Sequence, residues 1–280
     1  MIAKKAQQKM MRELTRRDEH LIGALTQEIQ LILKETEKRI RSPSLQIEDI
    51  LTMELPGRGN IAKLLVDHAK TTLALGQAHG DLLVHETLKK VAPHKLAEWE
   101  PSTIKLSPIQ INPDKFWLHP KLALEALKAR SIFLADDFEG EILKESKKIM
   151  IDHLGGAPRA QSLERIKSLI GGSTSRAELI VVTETTYAYN RGRLAAYQSA
   201  DVDYVEFSAV MDSRTSQQCS SRHGKIMRID SAELAGNTPP LHGRCRSILL
   251  PIFSAYQKEL LTDEALNWKE VIPVPESWKT

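Results

Sequence analysis

The amino-acid sequence predicts a mainly α-helical protein, in which a helical amino-terminal half is followed by a small α+β carboxy-terminal domain. Three observations predict it. Apolar residues recur at three, four, seven and eight positions through the first half, the spacing of amphipathic helices. After Asp201 the pattern turns to a run of β-branched and aromatic residues, Tyr204 to Met211. The chain has 280 residues, whereas compact domains usually run roughly 100 to 200. Residues 1–158 read as a helical docking region, 159–251 as the compact α+β unit and 252–280 as a carboxy-terminal tail.

The elements follow in order. From Lys4 to Arg41, Leu14, Leu21, Leu25, Ile29, Ile32 and Ile40 make one long amphipathic helix, ended by Ser42-Pro43-Ser44 because the residue before Pro is pushed out of the α region. Pro56-Gly57-Arg58-Gly59 is a turn. Asn60 caps a helix carrying Ile61, Leu64, Leu65, Ala69, Leu73 and Leu75, and a second helix is predicted from about Asp81 to Val91. Residues 92–120 hold Pro93, Pro101, Pro108, Pro113 and Pro120, a density no helix interior tolerates, so they read as an irregular connector. Its Trp99, Phe116 and Trp117 point to packing rather than to a free segment, on the protein's own helices in the first reading and on a partner surface in the alternative. Helices resume at Lys121–Phe133 and Glu139–Leu154, and break at Gly155-Gly156-Ala157-Pro158. Another runs near Ser162–Ile170 and is expected to stop at Gly171-Gly172. Ser175–Ser199 reads as a strong helix: Ile180, Tyr187 and Leu194 are spaced by seven, as are Thr183, Asn190 and Tyr197, so one face is buried, with Glu184 and Arg191 on its border. Strands are expected over Tyr204–Met211 and Arg246–Ile252.

Composition excludes several classes. Apolar residues make up 41% and charged residues 27%, with net charge +3, the balance of a folded globular chain. The longest aliphatic runs fall far below the roughly 18 residues of a membrane span. The first residues, MIAKKAQQKMMREL, lack the apolar block of a secretory signal. Residues 1–41 hold ten basic and six acidic residues, and residues 159–251 hold twelve and nine. Charges so interleaved suit only weak, non-specific contact with DNA. There is no phosphate-binding Gly-rich loop and no G-x-S-x-G nucleophile motif.

Both cysteines and two of the nine histidines fall inside 27 residues, as Cys219-x3-His223 and His242-x2-Cys245. Paired thiol and imidazole ligands at short spacing suit a tetrahedral zinc ion, so Cys219, His223, His242 and Cys245 are candidate ligands expected to meet in space. The alternative is two small buried thiols beside histidines that bond backbone groups. Asp212, Arg214, Arg244 and Arg246 read as a structural polar cluster whose charge-assisted hydrogen bonds pin loops, with Glu184 an acceptor on the facing helix. Gly192, Gly224 and Gly243 read as places of close backbone approach or positive φ.

The order Thr183-Glu184 on a helix, Asp212-x-Arg214-Thr215-x3-Cys219, Gly224-Lys225, then Pro239-Pro240-x-His242-x2-Cys245-Arg246 resembles the phage Mu F-like, or phage head-morphogenesis, family of minor capsid proteins. It spans about Ser162 to Pro251 and includes Arg176, Asn190 and Gly192. Many members have CxxC where this chain has Ser216-x2-Cys219, and His-Pro where it has His242-Gly243. The resemblance implies a non-catalytic virion component of a tailed bacteriophage, acting in head assembly. Its partners would be the portal protein or other capsid proteins, its place the capsid interior or portal vertex, and the host cytoplasm during assembly. It also implies a structural zinc site in which His223 stands in for the missing thiol, and no other cofactor. A second reading, from the residues, is a metal-dependent nuclease using His223 or His242 with Glu184. Four Cys/His ligands would close the coordination sphere and favour structure over catalysis. A fragment starting near Ser162 is expected to fold by itself.

Overall fold

The computed structural model of the chain describes residues 2–101 and 120–275. Its order is α1 (Ile2–Arg41), α2 (Ile47–Leu51), α3 (Asn60–Val91), α4 (Pro93–Leu96), α5 (Pro120–Leu154), α6 (Arg159–Ser199), β1 (Tyr204–Ser208), α7 (Gln217–Ser220), β2 (Ile226–Arg228), α8 (Ala232–Asn237), β3 (Ile248–Ile252), a 3-10 turn (Lys258–Leu260) and α9 (Asp263–Leu266). The fold is thus mainly helical with a small sheet in its carboxy-terminal region. No helix among the described residues is long and apolar enough to cross a membrane.

Two compact units are built from interleaved segments. Residues 13–68 and 128–181 form a helical unit, and the rest of the described chain forms a mixed unit. The units therefore cut across the boundary expected at 158/159, because α1, α3, α5 and α6 each contribute to both. In the helical unit, Leu25, Ile29, Leu33 and Ile40 of α1 meet Ile50, Ile61, Ile142, Ile166 and Val181 in one core. Each such aliphatic side chain contributes about 1.5–3 kcal/mol when fully buried. Glu139 of α5 is buried and accepts from the Gly59 N–H at the start of α3, 3.3 Å away. Burial raises its pKa above the usual carboxylate range.

Three predicted interruptions are bridged. The helix expected to stop at Gly171-Gly172 runs through them as part of α6, since Ile166 before and Ala177 and Val181 after are buried on one face. Two glycines weaken a helix by roughly 0.5–1 kcal/mol each, less than those contacts return. The two segments expected over 121–154 are one helix, because Ala135 and Phe138 in the gap are both buried. The helices expected at 61–75 and 81–91 are likewise one. Gly76 and Gly80 lie where α3 meets α6: a Cβ at Gly76 would collide with the Tyr189 carbonyl, and one at Gly80 would come within 2.7 Å of Ala196 Cβ. Gly192 answers from α6, where a Cβ would collide with the Leu73 carbonyl.

In the mixed unit the strand order is β2-β1-β3, antiparallel throughout, with Tyr204 opposite both Arg228 and Ile252. Strand β1 ends at Ser208, short of the expected Met211, because the Ala209 N–H is taken by the His223 ring and Val210 O by Thr215. The core joins Val84, Leu88 and Ala92 of α3, Leu194 and Tyr197 of α6, Val205 and Phe207 of β1, and Leu249 of β3. Residues after 252, read as a tail, reach this core through Phe253 and Val274. Trp268 donates to Ile226 O at 2.8 Å. Trp99 packs against the same core, whereas Phe116 and Trp117, with most of the predicted connector, lie outside the described residues.

Candidate functional site

The site is assembled on one face of α6. Thr183, Thr186, Asn190 and Tyr197 recur at helical spacing, and each side chain meets backbone in residues 244–249. Thr183 Oγ1 accepts from the Arg244 N–H at 3.2 Å, and Thr186 Oγ1 donates to Cys245 O at 2.6 Å. Asn190 donates to Ser247 O at 3.2 Å and accepts from Leu249 N at 3.3 Å, and the Tyr197 hydroxyl donates to Leu249 O at 2.9 Å. The physical need is plain. Strand β3 lies at a sheet edge, and Leu249 turns its N–H and C=O away from β1. A buried edge without partners leaves costly orphan groups. Pro251 removes the next donor.

This scaffold brings three of the four candidate ligands together. Cys219 Sγ lies 3.2 Å from His242 Nε2 and 3.6 Å from Cys245 Sγ, and the three donor atoms all fall within 4.8 Å of one another. Both thiols are buried, at 2% and 0% exposure. Cys219 enters from α7, where Ser216 accepts from the Cys219 N–H at 3.2 Å as the helix cap. His242 Nδ1 lies 2.8 Å from Gly243 O, a contact that leaves Nε2 facing the sulfurs. The hydrogen bond from Cys245 holds the Cys219 thiol well below its usual pKa, with His242, Ser247 and Ser216 adding to it against burial. The Cys245 thiol is pushed up by the same bond to Cys219 and by burial. His242 is raised, chiefly by its bond to Cys219.

His223 does not join them. The chain turns at Gly224, at φ +78°, and the His223 Nδ1 accepts from the Ala209 N–H at 3.2 Å, beside β1. There it partly offsets the burial that raises the Glu206 carboxyl on the strand. The expected set of four ligands is thus three plus a histidine that finishes the strand end.

The polar cluster divides in the same way. Arg246 grips Asp212 with Nη1 and Nη2, at 2.8 and 2.6 Å, and this pairing holds the Asp212 carboxyl far below its usual range. The Arg214 N–H also bonds Asp212, at 2.9 Å, while its guanidinium stands 3.8 Å off. Arg244 reaches α6 through its backbone, in a left-handed conformation at φ +57°. Glu184 is buried on α6 next to Thr183. The arrangement is a loop clasp in which the side chains hold one another and the backbone.

Sequence reasoning missed Arg222. The Arg222 side chain is buried and donates to Asn237 Oδ1, Gln218 O and Ile272 O, each at 2.8 Å. No residue spacing announces a guanidinium that serves three loops at once.

Residues 147–250 match the family model described as phage Mu protein F like protein. The resemblance carried by Thr183, Asp212, Cys219, His242 and Cys245 therefore holds, and the match begins upstream of the motifs, within α5. No curated protein and no solved structure matches the chain.

Proposed function

We infer that this protein is a structural component of a tailed-phage head, a minor capsid protein that acts in head assembly, associates with the portal and is carried inside the capsid. The observation that carries the reading is the match of residues 147–250 to the phage Mu protein F like family, a family of phage head proteins. The chemistry of the matched residues supports it. Thr183, Asn190, Asp212 and Arg246 are engaged with backbone and with one another, as parts of a scaffold are. The helical unit is the docking element in this reading. Leu31, Leu51 and Phe133 there are 57%, 64% and 71% exposed, apolar surface that a partner would cover.

The test is made on virions. The full chain should co-purify with heads and cross-link to the portal protein. A variant with Leu51→Glu and Phe133→Glu should fold with unchanged helicity but fail to incorporate. Absence from heads, or full incorporation of that variant, would remove the reading. Incubation with divalent metals and DNA should give no cleavage, and nicking that His242→Ala abolishes would favour the nuclease alternative.

A further inference from the structure

Two short loops far apart in sequence present the same kind of donor to one point. Cys219 Sγ comes from the turn capped by Ser216, and His242 Nε2 and Cys245 Sγ come from the loop that α6 clamps through Thr183 and Thr186. Zinc bonds of about 2.3 Å to sulfur and 2.0–2.1 Å to nitrogen, at tetrahedral angles, put two sulfurs roughly 3.8 Å apart and sulfur and nitrogen roughly 3.6 Å apart. The separations here are 3.6 and 3.2 Å. An ion would need the atoms of these two pairs to part by only a few tenths of an ångström, and the third pair, His242 with Cys245, lies within 4.8 Å. The Gly243 carbonyl holds the far side of the imidazole as the outer partner of a metal-bound histidine does. Soft thiolates with one imidazole select zinc among the common divalent ions.

We propose that Cys219, His242 and Cys245 bind one zinc ion through three protein ligands, that Ser216 stands where a fourth ligand would be, and that His223 takes no part. The Ser216 hydroxyl accepts from the Cys219 N–H at 3.2 Å, three residues before the cysteine on the same capped turn. A hydroxyl is a poor zinc ligand, and the corner is left to it or to water. Three ligands and an open corner describe a catalytic site in a cleft. Here both cysteines are at most 2% exposed, so the ion would clamp the α7 turn to the 242–245 loop.

The experiment uses the purified, reduced full-length chain, with zinc content by elemental analysis and cobalt(II) as a spectroscopic probe. One metal per chain is expected, with a tetrahedral cobalt spectrum and a near-ultraviolet charge-transfer band of two-thiolate intensity. His223→Ala should leave content and spectrum unchanged. Cys245→Ser and His242→Ala should lose the metal. The gain-of-ligand variant Ser216→Cys keeps the proposal testable if those variants fold poorly. Its charge-transfer band should grow to three-thiolate intensity. Partners that only orient a ligand are worth roughly 10- to 100-fold in metal affinity, so a directly bound thiolate should raise resistance to chelator by at least that factor. A wild-type chain that binds no metal when reduced overturns the proposal. So does loss of metal in His223→Ala, or a Ser216→Cys chain whose spectrum and chelator resistance match wild type.

Discussion

The Tyr197 hydroxyl donates to Leu249 O at 2.9 Å and accepts from Arg193 Nε and Nη2 at 3.1 and 2.9 Å, with both side chains fully buried. Arg193 lies over the rings of Tyr189 and Tyr197, at 5.4 and 5.9 Å. One oxygen therefore completes both an edge strand and a buried cation. Removing it leaves a buried carbonyl and a buried guanidinium without that partner, at about 1–3 kcal/mol for the neutral group and more for the charged one. Tyr197→Phe should thus cost about 3 kcal/mol or more in urea unfolding, although it alters no apolar packing. A loss within about 0.5 kcal/mol, the range of ordinary surface changes, would mean that the hydroxyl carries none of this. The stripe holding Tyr197 was legible, because Thr183, Asn190 and Tyr197 at seven-residue spacing must share a helix face. Their partner was not, since nothing local says that a polar face will meet a strand edge some 50 residues on. His223 was misjudged for the same reason. Its spacing from Cys219 suits a ligand pair, but the turn at Gly224 sends the ring to Ala209 instead.

At the scale of elements, glycine has two opposite meanings here. Gly171 and Gly172 have open space where a Cβ would go, so they only loosen α6. Gly192 has the Leu73 carbonyl there, and Gly76 has the Tyr189 carbonyl. Gly171→Ala and Gly172→Ala should each stabilise the protein by roughly 0.5–1 kcal/mol, whereas Gly192→Ala must push α3 and α6 apart and should lower stability by about 1–3 kcal/mol, the usual penalty of overpacking. Thermal unfolding of the three variants checks the contrast, and equal signs would refute it. Sequence reading treats both kinds alike, as breaks, because propensity is local. That is why α3 and α6 were each divided while their apolar stripes were recognised. Strand β2 was missed because three residues, Ile226 to Arg228, are too few to display a period.

The whole molecule is not divisible at the place where its motifs begin. The core under the sheet includes Val84, Leu88 and Ala92 of α3, and the glycine-lined contact presses α3 onto α6. A fragment from near Ser162 loses these residues, which argues against the expectation that it folds alone. The aliphatic side chains withdrawn contribute about 1.5–3 kcal/mol each, against a total stability of about 5–15 kcal/mol for a typical domain. The turn at Gly155-Gly156-Ala157-Pro158 is another matter. It is largely exposed, and Gly156 sits at φ +107°. Exposed turns of small residues accept chain cleavage. A protease site placed there should therefore be cut without dissociation: each compact unit draws on both pieces, so 1–158 and 159–280 should elute together. Expressed separately, residues 159–280 should show helical signal without a cooperative transition, and should regain one when mixed with the other piece. A separate 159–280 fragment that unfolds as sharply as the cut complex would show that α3 is dispensable to the sheet's core.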